Sequence, residues 1–267
     1  MPTIHPTSII EGDVQLADDV VIGPWCVVTG TVHIGAGTRL MAQNYITGRS
    51  EIGEGNTFWP GAVIGGAPQD INFDHECEEP GLVIGDNNMF REGVTVHRGK
   101  TNEPTRIGND NYFMTNSHIG HDSVLGNNIQ IATGSMLAGH STIEDRVILG
   151  GGAAIHQFVR VGTGAFISGL SGASLDVPPW FIVTDISICS SLNLIGMRRF
   201  GMTAEEIETR RWVYKTLFRQ RRTVTGALEV LRSRHDDPIV ATYIDFIEAS
   251  ERGLCRGPLR KHVRSGA

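Results

Sequence analysis

The stretch Ile107-Gly-Asn-Asp-Asn-Tyr112, Phe113-Met-Thr-Asn-Ser-His118, Ile119-Gly-His-Asp-Ser-Val124, Leu125-Gly-Asn-Asn-Ile-Gln130 carries an apolar residue at every sixth position. The pattern continues through Ile131, Leu137, Ile143, Leu149, Ile155, Val161, Ile167 and Ala173. A period of six matches neither the spacing of an amphipathic helix nor the alternation of a half-buried strand. It is the period of a hexapeptide β-helix, in which each unit makes one short flat side and one turn. Three units close a triangular coil, so residues 18 apart stack above one another. Glycine follows the apolar residue at Gly108, Gly120, Gly126, Gly150 and Gly162, as tight corners require.

Upstream, Ile4, Ile10, Leu16, Ile22, Val28, Ile34, Leu40, Ile46, Ile52, Phe58 and Ile64 hold one phase without a slip. The phase breaks over residues 65–83, resumes at Ile84, Phe90 and Val96, and breaks again over 98–106. Both breaks read as loops ejected from a corner, a common way for a solenoid to line its binding face. Regularity fades after Ala173, and Asp176-Val177-Pro178-Pro179-Trp180 reads as a rigid exit from the coil. Helical signals follow. Thr203-Ala-Glu-Glu206 is a capping box, Thr225 to Arg234 reads as a second helix, and Asp237-Pro238 starts a third that ends at Gly253. The expected organisation is a mainly β domain over 1–190, a parallel β-helix, and an α-helical domain over 191–267 that covers the last coil.

With 33 Gly and 7% aromatics in 267 residues, the composition suits a narrow aliphatic core. The net charge is −6, unevenly spread. From Ser191 onward 15 Lys and Arg face 9 Asp and Glu, a net of +6, which leaves −12 for the rest. A basic end on an acidic rod suits an acidic partner. The four cysteines show no metal spacing and read as free thiols. Neither a signal segment nor a bilayer-spanning run is visible, so a cytoplasmic protein without integral membrane contact is expected. No nucleic-acid partner is expected.

Stacking at 18 supplies the functional lead. Ile119, Leu137 and Ile155 share one line, and beside them lie His121, His140 and His156, with His118 and His97 nearby. One reading is a set of surface histidines with no chemistry, on a scaffold. A second is a metal centre, but His118 and His121 are three apart, not four as in zinc-binding hexapeptide helices of the carbonic anhydrase type. The third is general-base catalysis, in which His121 takes a proton from an attacking hydroxyl. Asp122 would hold its tautomer, and the N–H of Gly139, one coil above, would meet a developing oxyanion. That set suits acyl transfer with no metal and no covalent intermediate.

Asn116-Ser-His-Ile-Gly-His-Asp122, Leu137-Ala-Gly-His140, Ala154-Ile-His-Gln-Phe158, Val96-His-Arg-Gly99, Pro68-Gln-Asp70, Asp176-Val-Pro-Pro179 and Glu251-Arg-Gly-Leu254 resemble the UDP-N-acetylglucosamine O-acyltransferase family, the first enzyme of lipid A synthesis. The resemblance implies a homotrimer of left-handed β-helices with active sites between subunits. It implies transfer of a 3-hydroxyacyl group from acyl carrier protein to the 3-hydroxyl of UDP-N-acetylglucosamine. The chain would need no cofactor beyond the phosphopantetheine of the carrier. By motif, His121 is the base, Asp122 its orienter and Gly139 the oxyanion donor. Asp70, His118, His140, His156 and Gln157 contact the nucleotide sugar or the thioester arm, with His97 and Asn72 on the same substrate-binding face. Gly169 lies at the far end of the acyl groove. Asn193, Arg198 and Arg199 lie near the nucleotide phosphates. This sequence departs from the family at Asn72, where a lysine is usual, and at Ile195 and Phe200, where some members carry Glu and a third basic residue. A paralogue acting on an amino sugar is the alternative these departures raise. A coenzyme A-dependent acetyltransferase and the pathway's N-acyltransferase fit less well, since the former lacks a use for the basic helical end and the latter carries an extra N-terminal domain.

Overall fold

A computed structural model describes residues 1–220 and 222–258; the last nine residues of the expected helical domain lie outside the described residues. The chain winds into a parallel solenoid with three walls. One wall is a sheet of ten parallel rungs, from Thr3–Ile4 to Phe181–Val183, closed by an antiparallel strand, Cys189–Leu192. The other two walls belong to one 15-stranded sheet. They are joined because the strands Ile9–Leu16 and Val27–Ile34 run round a corner without a break. The bend falls at Gly12 (φ 90°) and Gly30 (φ 101°). A Cβ on Gly12 would stand 2.5 Å from the Gly30 carbonyl oxygen, so this corner admits no side chain.

Every hexad position from Ile22 to Ala173 is buried, whereas Ile4 is 40% exposed and Ile10 and Leu16 are half-buried at the open N-terminal end. Inside, Phe58, Phe90 and Phe113 stack with centroids 4.8 and 4.7 Å apart. A buried polar ladder runs beside them. Asn56, Asn88 and Asn111 each accept, through Oδ1, the backbone N–H of the next rung, at Asn88, Asn111 and Ile129. These three asparagines therefore satisfy the buried N–H groups along the axis rather than across it.

Two interruptions leave the coil. Val63–Gly66 and Leu82–Ile84 flank the first, and Thr95–His97 and Thr105–Ile107 the second. Arg98 pins both, donating to the carbonyls of Gly65, His75 and Cys77.

The Asp176–Trp180 segment is not the exit from the coil. Val177 bridges Val161, Phe181–Val183 pairs with Phe166–Ile167, and Ile186 bridges Gly172. The winding continues, but Val177 follows Ala173 by four residues instead of six. That shortened corner breaks the period without breaking the coil. The helices then pack over the last rung. They are α1 (Leu194–Arg199), α2 (Ala204–Phe218), α3 (Val224–Arg232) and α4 (Pro238–Glu248). Thr203 and Glu206 form the capping box of α2. α3, capped by Thr223, starts one residue before Thr225 and ends two residues before Arg234, and α4 ends five residues before Gly253. The six-residue α1 is too short to leave a period. Phe181 meets Tyr214, Phe218 and Tyr243 at 5.4 to 5.9 Å, and the Tyr243 hydroxyl donates to the Pro179 carbonyl at 3.0 Å. Apolar burial of this kind covers the edge of the sheet. All four cysteines are free. Among the described residues no helix is long and apolar enough to cross a membrane.

Candidate active site

Stacking at 18 residues sorts one corner into columns. His121 lies beneath Gly139, and Asp122 beneath His140 and then Phe158. The His140 N–H donates to the His121 carbonyl at 2.9 Å, and the His140 ring stacks on Phe158 at 4.4 Å. His140 is 19 residues from His121 and His156 is 35, so the three imidazoles do not share one column. His121 and His140 meet edge to face at 5.2 Å. His156 stands one column over and faces the same cleft.

Asp122, His140 and Phe158 hold φ values of 57°, 61° and 63°. This left-handed turn lets neighbouring side chains converge, as an extended strand does not. His121 Nδ1 lies 2.5 Å from Asp122 Oδ2. The Asp122 carboxylate is 5% exposed and almost fully engaged. Its Oδ1 accepts the Thr101 N–H at 2.9 Å, the Thr101 hydroxyl at 2.7 Å and the Lys100 N–H at 3.1 Å. Burial alone would push this carboxyl up. The hydrogen bonds from Thr101, His121 and Lys100 outweigh it and hold the group below its ordinary value. An ionised carboxylate can only accept, so Nδ1 of His121 carries a proton, and in the neutral ring Nε2 is the atom with the lone pair. Nε2 faces Gly139: a Cβ built there would come within 2.8 Å of it. Among the described residues, no acceptor takes the Gly139 N–H.

Three neighbouring imidazoles are shifted toward the neutral form. Burial, with His97 and His121 adding repulsion, lowers His118 to about 4. Burial also lowers His97, whose Nδ1 donates to the Ala67 carbonyl at 2.5 Å. For His140 burial outweighs the opposing pull of Asp122, and the shift is again downward.

His97, His118, His121, Gly139 and His156 line a cleft of about 660 Å³, with Asp122 and His140 behind His121. From His118 the outward positions of the wall run through Met136, Ala154 and Gly172 to Ile186, each pair in register on adjacent rungs. The side chains shrink along this line and the last one closes it, making a furrow with an aliphatic end. Leu170, Ser171 and Ser174 flank that end. Gly169 sits in the adjoining turn, where its Cβ would reach the Gly151 carbonyl oxygen at 3.3 Å, and does not itself form the wall.

Asp70, on the first loop next to the cleft-lining Gln69, pairs with the Lys100 ammonium, which with a hydrogen bond from the Asn72 N–H lowers its carboxyl. Asn72 itself is exposed. Gln157 is exposed; its carbonyl and the Arg252 guanidinium each lie 3.2 Å from His156 Nδ1. Asn193, Arg198 and Arg199 are not brought to this cleft. Asn193 is buried as the cap of α1, accepting the Gly196 N–H and donating to the Gly164 carbonyl. With Arg199 it borders a second cleft of about 510 Å³ against Gln130, Ile148 and Phe166 of the ten-rung wall. There Arg146 lies over the Phe200 ring at 4.5 Å and Phe200 meets Trp180. Lys100, Thr101, Met136, Gly172 and Ile186 escaped the sequence reading. Met136, Ala154 and Gly172 are 18 apart and the same arithmetic would find them. Nothing local marks the two loop residues.

The donor atoms of His121, Asp122 and His140 lie within 4.8 Å of one another. A tetrahedral zinc holds ligands at about 2.0–2.1 Å, which places neighbouring donor atoms roughly 3.3 Å apart. Nδ1 and Oδ2, at 2.5 Å, are instead joined through a proton. The trio suits proton handling better than ion binding.

Residues 31–66 match the family of bacterial transferase hexapeptide repeats, and residues 176–255 match the family described as UDP N-acetylglucosamine O-acyltransferase, domain 2. An acyl-(acyl-carrier-protein)–UDP-N-acetylglucosamine O-acyltransferase of Akkermansia muciniphila is 47% identical over 260 residues, 96% of this chain and 100% of the relative. The enzyme of the same name from Thermodesulfovibrio yellowstonii is 39% identical over the same shares. The crystal structure of the Francisella novicida UDP-N-acetylglucosamine acyltransferase superposes with a TM-score of 0.90 at 34% identity, over 96% of this chain and 95% of that one.

Proposed function

Because the chain belongs to the UDP-N-acetylglucosamine O-acyltransferase family, whose members act in lipid A assembly, we propose that its His121 corner is where acyl carrier protein gives up an acyl chain to the nucleotide sugar. The observation that carries this reading is the trio of His121, Asp122 and Gly139. An imidazole lone pair, an ionised orienting carboxylate and an unclaimed backbone N–H converge within one corner. His121 Nε2 takes the proton of the sugar 3-hydroxyl as that oxygen attacks the thioester carbonyl. The Gly139 N–H receives the oxyanion. Collapse expels the phosphopantetheine sulfur, which takes the proton back from the imidazolium. Asp122 stays ionised and stabilises the cation. No acyl-enzyme forms, and no resident metal or cofactor is required.

The furrow from Met136 to Ile186 takes the acyl chain, a 3-hydroxyacyl group, with Gly169 in the turn at its far end. Asp70, Asn72, His97, His118, His140, His156 and Gln157 surround the sugar and the thioester arm. Asn193, Arg198 and Arg199, beside the second cleft, serve the diphosphate. One chain holds these two half-sites on different walls, which favours a homotrimer whose subunits complete each other's sites. The basic helical end receives the acidic carrier protein. A carrier-borne donor and a nucleotide-sugar acceptor place the reaction in the cytoplasm.

The test is mass spectrometry of the product formed by purified enzyme from mixed acyl carrier proteins and a panel of UDP-sugars, with metal analysis alongside. An ester of UDP-N-acetylglucosamine formed by metal-free enzyme is the expected result. An amide on an amino sugar would instead support the paralogue raised by Asn72, Ile195 and Phe200. Absence of any product would leave the scaffold reading.

A further inference from the structure

We propose that Thr101, on the second ejected loop, is a positioning residue that sets the Asp122 carboxylate for His121; the inference rests on His121 being the base. Asp122 can rotate about its last torsion, and its donors decide where Oδ2 points. His121 holds Oδ2 at 2.5 Å. Opposite, the Thr101 hydroxyl and N–H hold Oδ1 at 2.7 and 2.9 Å. Apart from His121, Thr101 is the one residue among the described whose side chain donates to the Asp122 carboxylate; Lys100 contributes its backbone N–H, at 3.1 and 3.2 Å, and the Thr105 hydroxyl accepts the Asp122 N–H. His140 Nε2, at 3.7 Å, lies outside hydrogen-bond range.

The loop that carries Thr101 is itself tied down. The Gly99 N–H donates to the Gly81 carbonyl at 2.8 Å, the Lys100 ammonium pairs with Asp70, and Arg98 grips three carbonyls. A neutral surface insertion would need none of this, nor would it close on the one carboxylate that faces the base. Thr101 is exposed and lies outside the coil, so it owes this geometry to nothing in the core. The charged and titratable groups facing Asp122 are His121 and His140 from the corner and Lys100 from the loop, with Asp70 beyond it.

The experiment compares Thr101→Val and Thr101→Ser with wild type under saturating and limiting substrate. The valine variant keeps shape and loses the hydroxyl. Its kcat falls about tenfold, the scale of one hydrogen bond to a charged group. KM for either substrate moves less than about twofold, the melting temperature is unchanged, and serine restores kcat. Thr101→Ala removes the same hydroxyl if the valine variant misfolds. Wild-type kcat without the hydroxyl, a loss confined to KM, or a loss that serine does not restore would each overturn the proposal. His121→Ala runs in parallel. If it loses turnover while Thr101→Val does not, this inference alone fails. If it keeps turnover, the base assignment fails and takes the inference with it.

Discussion

The Gly139 backbone lies so close to the His121 imidazole that a Cβ at residue 139 would come 2.7 Å from Cε1 and 2.8 Å from Nε2. Contacts this short displace one group or the other. Gly139→Ala is therefore expected to push the ring off Asp122 while leaving the solenoid folded, since residue 139 stands at a surface corner. kcat should fall at least about a hundredfold, the scale of misplacing a catalytic group by about 1 Å. Steady-state kinetics with a melting curve checks this; an alanine variant with normal kcat would show that the ring and the backbone adjust together.

His121→Ala removes the lone pair that takes the hydroxyl proton and should cost about 10²–10⁴ in kcat. Asp122→Asn keeps the shape but replaces an acceptor by an amide that can offer Nδ1 the wrong hydrogen-bonding partner. A fall of up to about 10⁴-fold is expected from the wrong tautomer. Turnover above a tenth of wild type in His121→Ala would remove that residue from the role.

The furrow above His118 ends at Ile186, which is 70% exposed in the single chain. Ile186→Ala deletes three carbons there and should shift the preferred donor to chains about two carbons longer. Gly169→Met tests the neighbouring turn, and shorter chains are the expected choice. Product chain length by mass spectrometry separates the two positions: a shift in one variant and not the other identifies which of them ends the groove.

His118, held near 4 mainly by burial, supplies a pH signature of stability. Its unfolded value is about 6.5, so between those limits the unfolded chain binds more protons than the folded one. Stability is full above about 6.5 and declines as pH falls toward 4. His97 and His140 act in the same direction. His118→Gln should flatten the decline in melting temperature measured between pH 7 and 4; an unchanged slope would assign it to other groups.

Arg210, Arg211 and Arg219 lie on and just beyond α2, and Arg211 pairs with Glu208. Reversing their charge should raise KM for the acyl carrier protein about tenfold while leaving KM for the nucleotide sugar unchanged, and raised salt should mimic it. Measurement of both constants decides whether the carrier docks here.

A hexad repeat is a local rule applied many times, and each unit names its own buried residue. The coil, its buried line from Ile22 to Ala173, and the placing of Gly139 over His121 were thus legible from residue spacing alone. The same arithmetic misled where a corner changed length. Val177 falls two residues early and hides the last rung; His140 and His156, at intervals of 19 and 35, lie off the His121 column although the coil there keeps its period of 18. The Thr101 hydroxyl on Asp122, the Lys100 pair with Asp70 and the seat of Asn193 on another wall follow no period. Ejected loops and the capping helices are placed by contacts between segments distant along the chain, and such contacts exist only once the solenoid has wound and brought its corners into reach.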